Sequence, residues 1–401
     1  MIALLSMFVF TVFTSFYVSA KAVSKNWSIL ALPTVWMPKL DLKVTVLYIA
    51  WLGIQCLLYL IPFGGQVAQG APGRHGYRFS YRLNGFFVLT VNIVGFFVAS
   101  LCGWKVSAIA DKTWELTSSM FLTYFVFSVV LLVTTRFSEI PSYNINPDAN
   151  MGNMLQDWLL GKTINPRIGF LDFKMVAFRS VLISLPLYQF GIVAKFYEVH
   201  NTSNYGLLLA VGMQLLYVVD GSWFEWIIVN LKEVTKDGCG ALTVMFGASI
   251  PIHCSMAVNI IAQNNIQLPW YCLLVIAVIY LCGYCFFRLS NDEKYRFRNN
   301  PDAAEFKDYE VVSTARGTKL LVSGWWGMCR HPNYFGDIIL NTAMTMPAGL
   351  SYGLAYFNPM MIAMLLVDRE REDSNECKKK YGDDWGTYCH RVRYRLIPGV
   401  Y

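Results

Sequence analysis

The stretch LPWYCLLVIAVIYLCGYCFFRL, residues 268–289, carries one charged side chain, Arg288, near its far end. A helix that crosses the hydrocarbon of a bilayer needs about 20 mostly apolar residues. The segment therefore reads as a membrane span. Similar runs lie near 1–20, 42–62, 85–104, 117–135, 175–195, 205–230 and 241–262. A further apolar stretch, 335–367, is interrupted by Pro347, Gly349, Gly353 and Pro359, and reads as two short spans or a hairpin. The total is eight to ten. Backbone amides in lipid must be satisfied within the segment, so these spans are helices. No ten-residue alternation suggests a barrel, and no internal repeat is present. The expected fold is all-α, a polytopic membrane protein.

Composition agrees. The chain is 55% hydrophobic and 15% charged, where a soluble domain carries nearer a quarter charged residues. The net charge of +7 fits basic cytosolic loops beside anionic lipid better than a nucleic-acid partner. The apolar N-terminus has no basic residues before it, which favours a first transmembrane helix over a cleaved signal peptide. Sequons stand at Asn26 and Asn201. The ten cysteines are scattered, and the pair Cys282 and Cys285 lies inside an apolar run, so neither a disulfide framework nor a zinc site is legible.

Polar stretches separate the spans near 64–84, 138–174 and 290–323, and a polar, aromatic tail runs from 368 to 401. Between two apolar segments stands GWWGMCRHPNYFGD, residues 324–337. With its neighbours it gathers Lys294, Arg298, Lys319, Arg330, Arg369, Arg371 and the run Lys378, Lys379, Lys380. Interleaved are Trp325, Trp326, Tyr334, Tyr381, Trp385 and Tyr388. Cations bind phosphate and aromatic faces stack on a base, so a dinucleotide suits this inventory. The same residues also suit a positively charged loop with an interfacial aromatic belt. There is no G-x-G-x-x-G fingerprint and no P-loop, so such a site must be built from membrane helices and their loops. A second signal is a set of ionisable residues in or near the span 205–232. Asp220 and Glu225 could line one cavity with Tyr217, and a desolvated carboxyl there could donate a proton.

The segments LLVSGWWGMCRHPNYFGDI and LLVDREREDSNECKKKYGDDWGTYCHRVRYRLIPGVY resemble the sterol reductase and lamin B receptor family, as do GKTINPRIGFLDFK and YRLNGF. The resemblance covers roughly residue 40 to the end. It implies about ten transmembrane helices with a C-terminal cofactor-binding segment. It also implies NADPH-dependent reduction of a sterol-ring double bond in the endoplasmic reticulum membrane. One such domain would fill 1–401, its sterol pocket in about 1–265 and its NADPH pocket in about 266–401. Carried over by motif, Lys294 and Arg298 match the phosphate-binding pair. Leu321, Trp326, Asn333 and Tyr334 match pocket positions, as do Asp373, Cys377, Lys378, Lys379, Lys380, Tyr381 and Tyr388. Tyr217, Glu225 and Tyr388 are candidate proton donors. No metal is implied, and the partners are a sterol and membrane lipid. The chain departs from the family pattern at Ser180, Val181, Trp226, Glu233, Lys236 and Ala248, all in the sterol half. A 14-ene reductase is the leading expectation. The alternatives are a 7-ene reductase and a sterol-binding scaffold without catalysis.

Overall fold

A computed structural model describes residues 2–28, 38–149 and 152–401. The main helices are α1 (Ile2–Ser24), α2 (Leu42–Leu60), α3 (Gly85–Leu101), α4 (Thr113–Phe137), α5 (Phe173–His200) and α6 (Tyr205–Trp223). They continue with α7 (Ala241–Cys254), α8 (Met256–Asn264), α9 (Trp270–Asn299), α10 (Trp325–Met328), α11 (Pro332–Thr345), α12 (Phe357–Tyr381) and α13 (Asp383–Arg391). The strands form three two-stranded antiparallel ribbons, the longest pairing β1 (Gln66–Gln69) with β2 (Ser80–Leu83). The chain is an all-α, multi-pass membrane protein. Among the described residues, seven helical spans are long and apolar enough to cross a bilayer, and α3 is a shorter apolar helix. The stretch 335–367 adds no further span of that kind. It folds as α11, two 3-10 turns and the start of α12, whose second half is charged.

The chain divides into two compact units, Met1–Asn265 and Ile266–Tyr401. In the first, polar side chains fix where apolar helices begin. Asp41 accepts from the N–H groups of Lys43 and Val44, Asp172 from Met175 N–H, and Asn204 from Leu207 N–H. Such caps satisfy amides that have no partner within the helix. Asn201 closes α5 in the left-handed region, at φ 49°, which Asn tolerates better than most residues. Pro251 lies in the last turn of α7, and the helix breaks at Ser255 before α8 resumes.

The β1–β2 hairpin is held onto this bundle by two arginines. Arg167 donates to Ser80 O and stands over the rings of Phe79 and Tyr81. Arg179, on α5, donates to Arg82 O and to Asn84 Oδ1 and covers the ring of Tyr59 at 4.6 Å.

In the second unit α9 and α11 pack closely because two glycines let the backbones approach. A Cβ on Gly283 would meet Ile339 Cγ2 at 2.7 Å, and one on Gly336 would meet Phe287 N at 2.4 Å. Backbone cannot swing aside as a side chain can. Gly336→Ala is therefore expected to cost about 1–3 kcal/mol, seen as a lower unfolding temperature of the detergent-solubilised protein. An unchanged transition would mean that the two helices separate freely.

Candidate functional site

The residues singled out for cofactor binding all lie in the second unit, on six elements. α9 is one continuous helix of 30 residues, so Lys294 and Arg298 extend from the same rod as the apolar span. Four residues apart, they share a face. The Lys294 ammonium sits 4.0 Å from the centre of the Trp326 ring. Trp326 is buried in a cluster with Phe297, Phe306 and Leu321, and its indole N–H donates to Ser290 O at 2.9 Å. The expected stacking face of Trp326 is thus taken by a cation. The ring is a seat for Lys294, which cation–π attraction favours.

Glu293 builds this seat, and sequence reasoning overlooked it. Its carboxylate accepts from Trp325 N–H at 3.0 Å and from the Tyr309 hydroxyl at 2.9 Å, holding the start of α10 against α9. Gly324, at φ +61°, makes the approach feasible: a Cβ there would lie 2.3 Å from Glu293 Oε1. The Gly-Trp-Trp order was the available signal, since only the small residue admits the carboxylate.

Asn333 and Tyr334 stand in the first turn of α11. Asn333 donates to Asn291 Oδ1 at 3.2 Å, while its own Oδ1 is buried without a partner in the protein. Tyr334 stacks on His331 at 4.7 Å. Burial, with help from Lys294 and Arg330, pushes the His331 imidazolium down to about 3. His331 is therefore neutral at physiological pH, and its 3.7 Å approach to Asp373 is not an ion pair.

Asp373, Cys377, Lys380 and Tyr381 fall on one face of α12 at helical spacing. Cys377 lies 3.9 Å from Asp373 Oδ2. Burial and the Asp373 charge push its thiol up to about 11, against the pull of Lys294 and Lys380. The thiol stays protonated, which suits a neutral lining residue and not a nucleophile. Lys380 covers the Tyr381 ring at 4.8 Å. Lys378 and Lys379 are exposed. At about 100° per residue they lie around the helix from Cys377, so the structure does not gather them with the others. Tyr388 is buried beside Trp385 and Val392, stacked on Trp385 at 4.8 Å. Burial pushes its phenol well above the usual range, so it keeps its proton.

The Arg330 side chain, counted above among the cations, ties the segment before α11 to the end of α13. It donates to Val392 O at 3.0 Å and to Cys389 O and Arg393 O at 3.4 Å, capping the last carbonyls of α13. Its own N–H donates to Tyr394 O.

The remaining candidates lie in the first unit. Tyr217 is half-buried on α6, and Asp220 is buried one turn on. The helix continues through Gly221 to Trp223. Glu225, expected as a proton donor, needs correction. Arg179 Nε donates to its Oε1. Its Oε2 accepts from Arg179 Nη2 at 2.8 Å and from Gly85 N–H at 2.9 Å. Both oxygens face donors, so the carboxylate is already engaged on both sides. Its work is to join α5, the start of α3 and the turn after α6.

Membrane-length helices followed by a folded polar segment define a polytopic membrane protein of a known kind. The model of the ergosterol biosynthesis ERG4/ERG24 family matches residues 2–401, and the chain belongs to that family. A Delta(14)-sterol reductase of Mus musculus is 36% identical over 397 residues, 97% of this chain and 93% of that protein. One from Schizosaccharomyces pombe is 34% identical over 373 residues, 91% of this chain and 86% of its own. The Delta(14)-sterol reductase LBR of Gallus gallus is 32% identical over 372 residues, 92% of this chain but 57% of that longer protein.

Proposed function

We propose that this protein reduces the 14-ene double bond of a sterol with NADPH, in the endoplasmic reticulum membrane. The observation that carries the reading is the end-to-end similarity to proteins named Delta(14)-sterol reductases. The second unit supplies a donor set that fits the cofactor. Lys294 and Arg298 present two positive charges on one face. Asn333 offers a buried carbonyl oxygen that awaits a donor such as a carboxamide. Asp373 can accept from a ribose hydroxyl. NADPH, when bound, supplies a hydride to one carbon of the alkene.

The other carbon needs a proton from the protein. We assign this to Tyr217. Glu225 is held by Arg179 through both oxygens, and Tyr388 is packed into an apolar cluster of the second unit. Tyr217 is a phenol only half-buried on a membrane helix, in the unit read as the sterol pocket. Apolar surroundings keep water from the cationic carbon that protonation creates.

The test is an assay of membranes with NADPH and sterols bearing a 14-, 7- or 24-ene, with products identified by gas chromatography. Reduction of the 14-ene is expected. Loss of the 7-ene alone would reassign the substrate, and no product with NADPH bound would point to a scaffold. Lys294→Ala should raise the NADPH KM about tenfold to a hundredfold, the worth of one charged hydrogen bond, with sterol affinity unchanged. Equal losses for both ligands would remove Lys294 from the phosphate role.

A further inference from the structure

Gln189 on α5 and Gln214 on α6 meet in the interior of the first unit, close to the middle of both membrane helices. The Gln189 Nε2 group donates to Gln214 Oε1 at 2.7 Å and to Ser255 Oγ, at the α7–α8 break, at 3.2 Å. Gln189 is fully buried and Gln214 is 3% exposed. The other half of each amide, Gln189 Oε1 and Gln214 Nε2, is buried with no partner. Exchanging O and N in both amides reverses the roles and still leaves one donor and one acceptor.

Elsewhere in the bundle such a pair closes on itself. Gln55 Nε2 donates to Asn92 Oδ1 and Asn92 Nδ2 donates to Gln55 Oε1, each at 3.0 Å. In hydrocarbon each unsatisfied polar group costs several kcal/mol. The Gln189–Gln214 pair is thus left with one acceptor and one donor, which a guest that both donates and accepts would satisfy. A hydroxyl does this with a single oxygen.

The surroundings favour a hydroxyl carried on an apolar body. Leu185 precedes Gln189 by four residues and Val218 follows Gln214 by four, so each lies on its glutamine's face. Both belong to one apolar cluster with Val88, Leu89 and Ile183. Along α6 the Gln214 face continues through Tyr217, about 4.5 Å further on by helical rise, to Gly221. There an added Cβ would meet no atom within 4 Å. The order along the helix is an unpaired amide, a half-buried phenol and open space.

We propose that Gln189 and Gln214 form the subsite for the 3-hydroxyl of the sterol and so set the position of its rings against Tyr217. This rests on the reading of the chain as a sterol reductase. A buried water is the other source of the same chemistry, and substrate analogues separate the two. The full-length protein in detergent is given a 14-ene sterol with a 3β-hydroxyl, or the same skeleton without it. Affinity is measured without NADPH, and kcat/KM with it. The wild type should prefer the hydroxy sterol tenfold or more in both. Gln214→Met and Gln189→Leu should each remove most of that preference by weakening the hydroxy sterol alone, with NADPH affinity retained. Either variant that folds is sufficient. A wild type that does not discriminate, or variants that weaken both sterols equally, would overturn the subsite in favour of water. If nothing is turned over but the NADPH-free preference is present and lost in the variants, the reductase reading falls and the subsite stands.

Discussion

Glu225→Gln is expected to yield little folded protein, not a folded and inactive one. Removing one partner of a buried ion pair leaves the other charge uncompensated and costs about 3–5 kcal/mol. Here the stranded charge is Arg179, which is buried with Glu225 and also holds Asn84 and the β1–β2 hairpin. Size-exclusion profiles and unfolding temperatures in detergent report the loss directly. Arg179→Lys alone should also weaken the fold, because an ammonium cannot span the two carboxylate oxygens of Glu225. The pair Arg179→Met with Glu225→Leu should be far less damaging than the two single losses combined, since no charge is left buried. A Glu225→Gln protein with normal stability and NADPH affinity but no turnover would return the proton-donor role to this residue.

Tyr217→Phe removes one oxygen and is expected to lower kcat about a hundredfold to ten-thousandfold, the usual contribution of a positioned acid. NADPH affinity should be unchanged. Single-turnover reduction of the sterol at saturating NADPH measures it without interference from product release. Retained turnover would take Tyr217 out of the chemistry. Tyr388→Phe is the informative comparison, because loss there should appear first in NADPH affinity if Tyr388 belongs to the cofactor wall.

The membrane helices were legible from composition alone. Each long apolar run reappears as a helix, most within a few residues of their expected ends, though the run 205–230 ends as a helix at Trp223, because in lipid no other backbone arrangement satisfies its amides. The sequence signal failed where a run is interrupted. Pro347, Gly349 and Pro359 turn 335–367 into short pieces whose lengths hydropathy does not reveal. It also ended one span early. The charged segment 290–299 looked like loop but continues α9, since Asn, Glu, Lys and Arg can all sit in a helix whose apolar part is already formed. Candidate cofactor residues could be picked out by type and motif, and Lys294, Trp326, Asp373 and Cys377 do come together. What Trp326 and Glu225 do was not legible. Lys294 occupies the ring from another element, and Glu225 answers to Arg179, 46 residues away in sequence. A partner at such separation leaves no periodic trace.

The unbroken length of α9 has an electrical consequence. Its 30 residues give about 45 Å of helix, against a hydrocarbon thickness of about 30 Å. Residues 290–299 therefore act as a mast about 15 Å tall, nearly two Debye lengths at physiological salt. A leaflet rich in anionic lipid carries a surface potential of about −30 mV that decays over one such length and depletes polyanions from the water next to it. Near the top of the mast, the exposed Arg298 meets solution in which that depletion has largely faded. Its charge also stands clear of lipid headgroup phosphates that would otherwise compete for it.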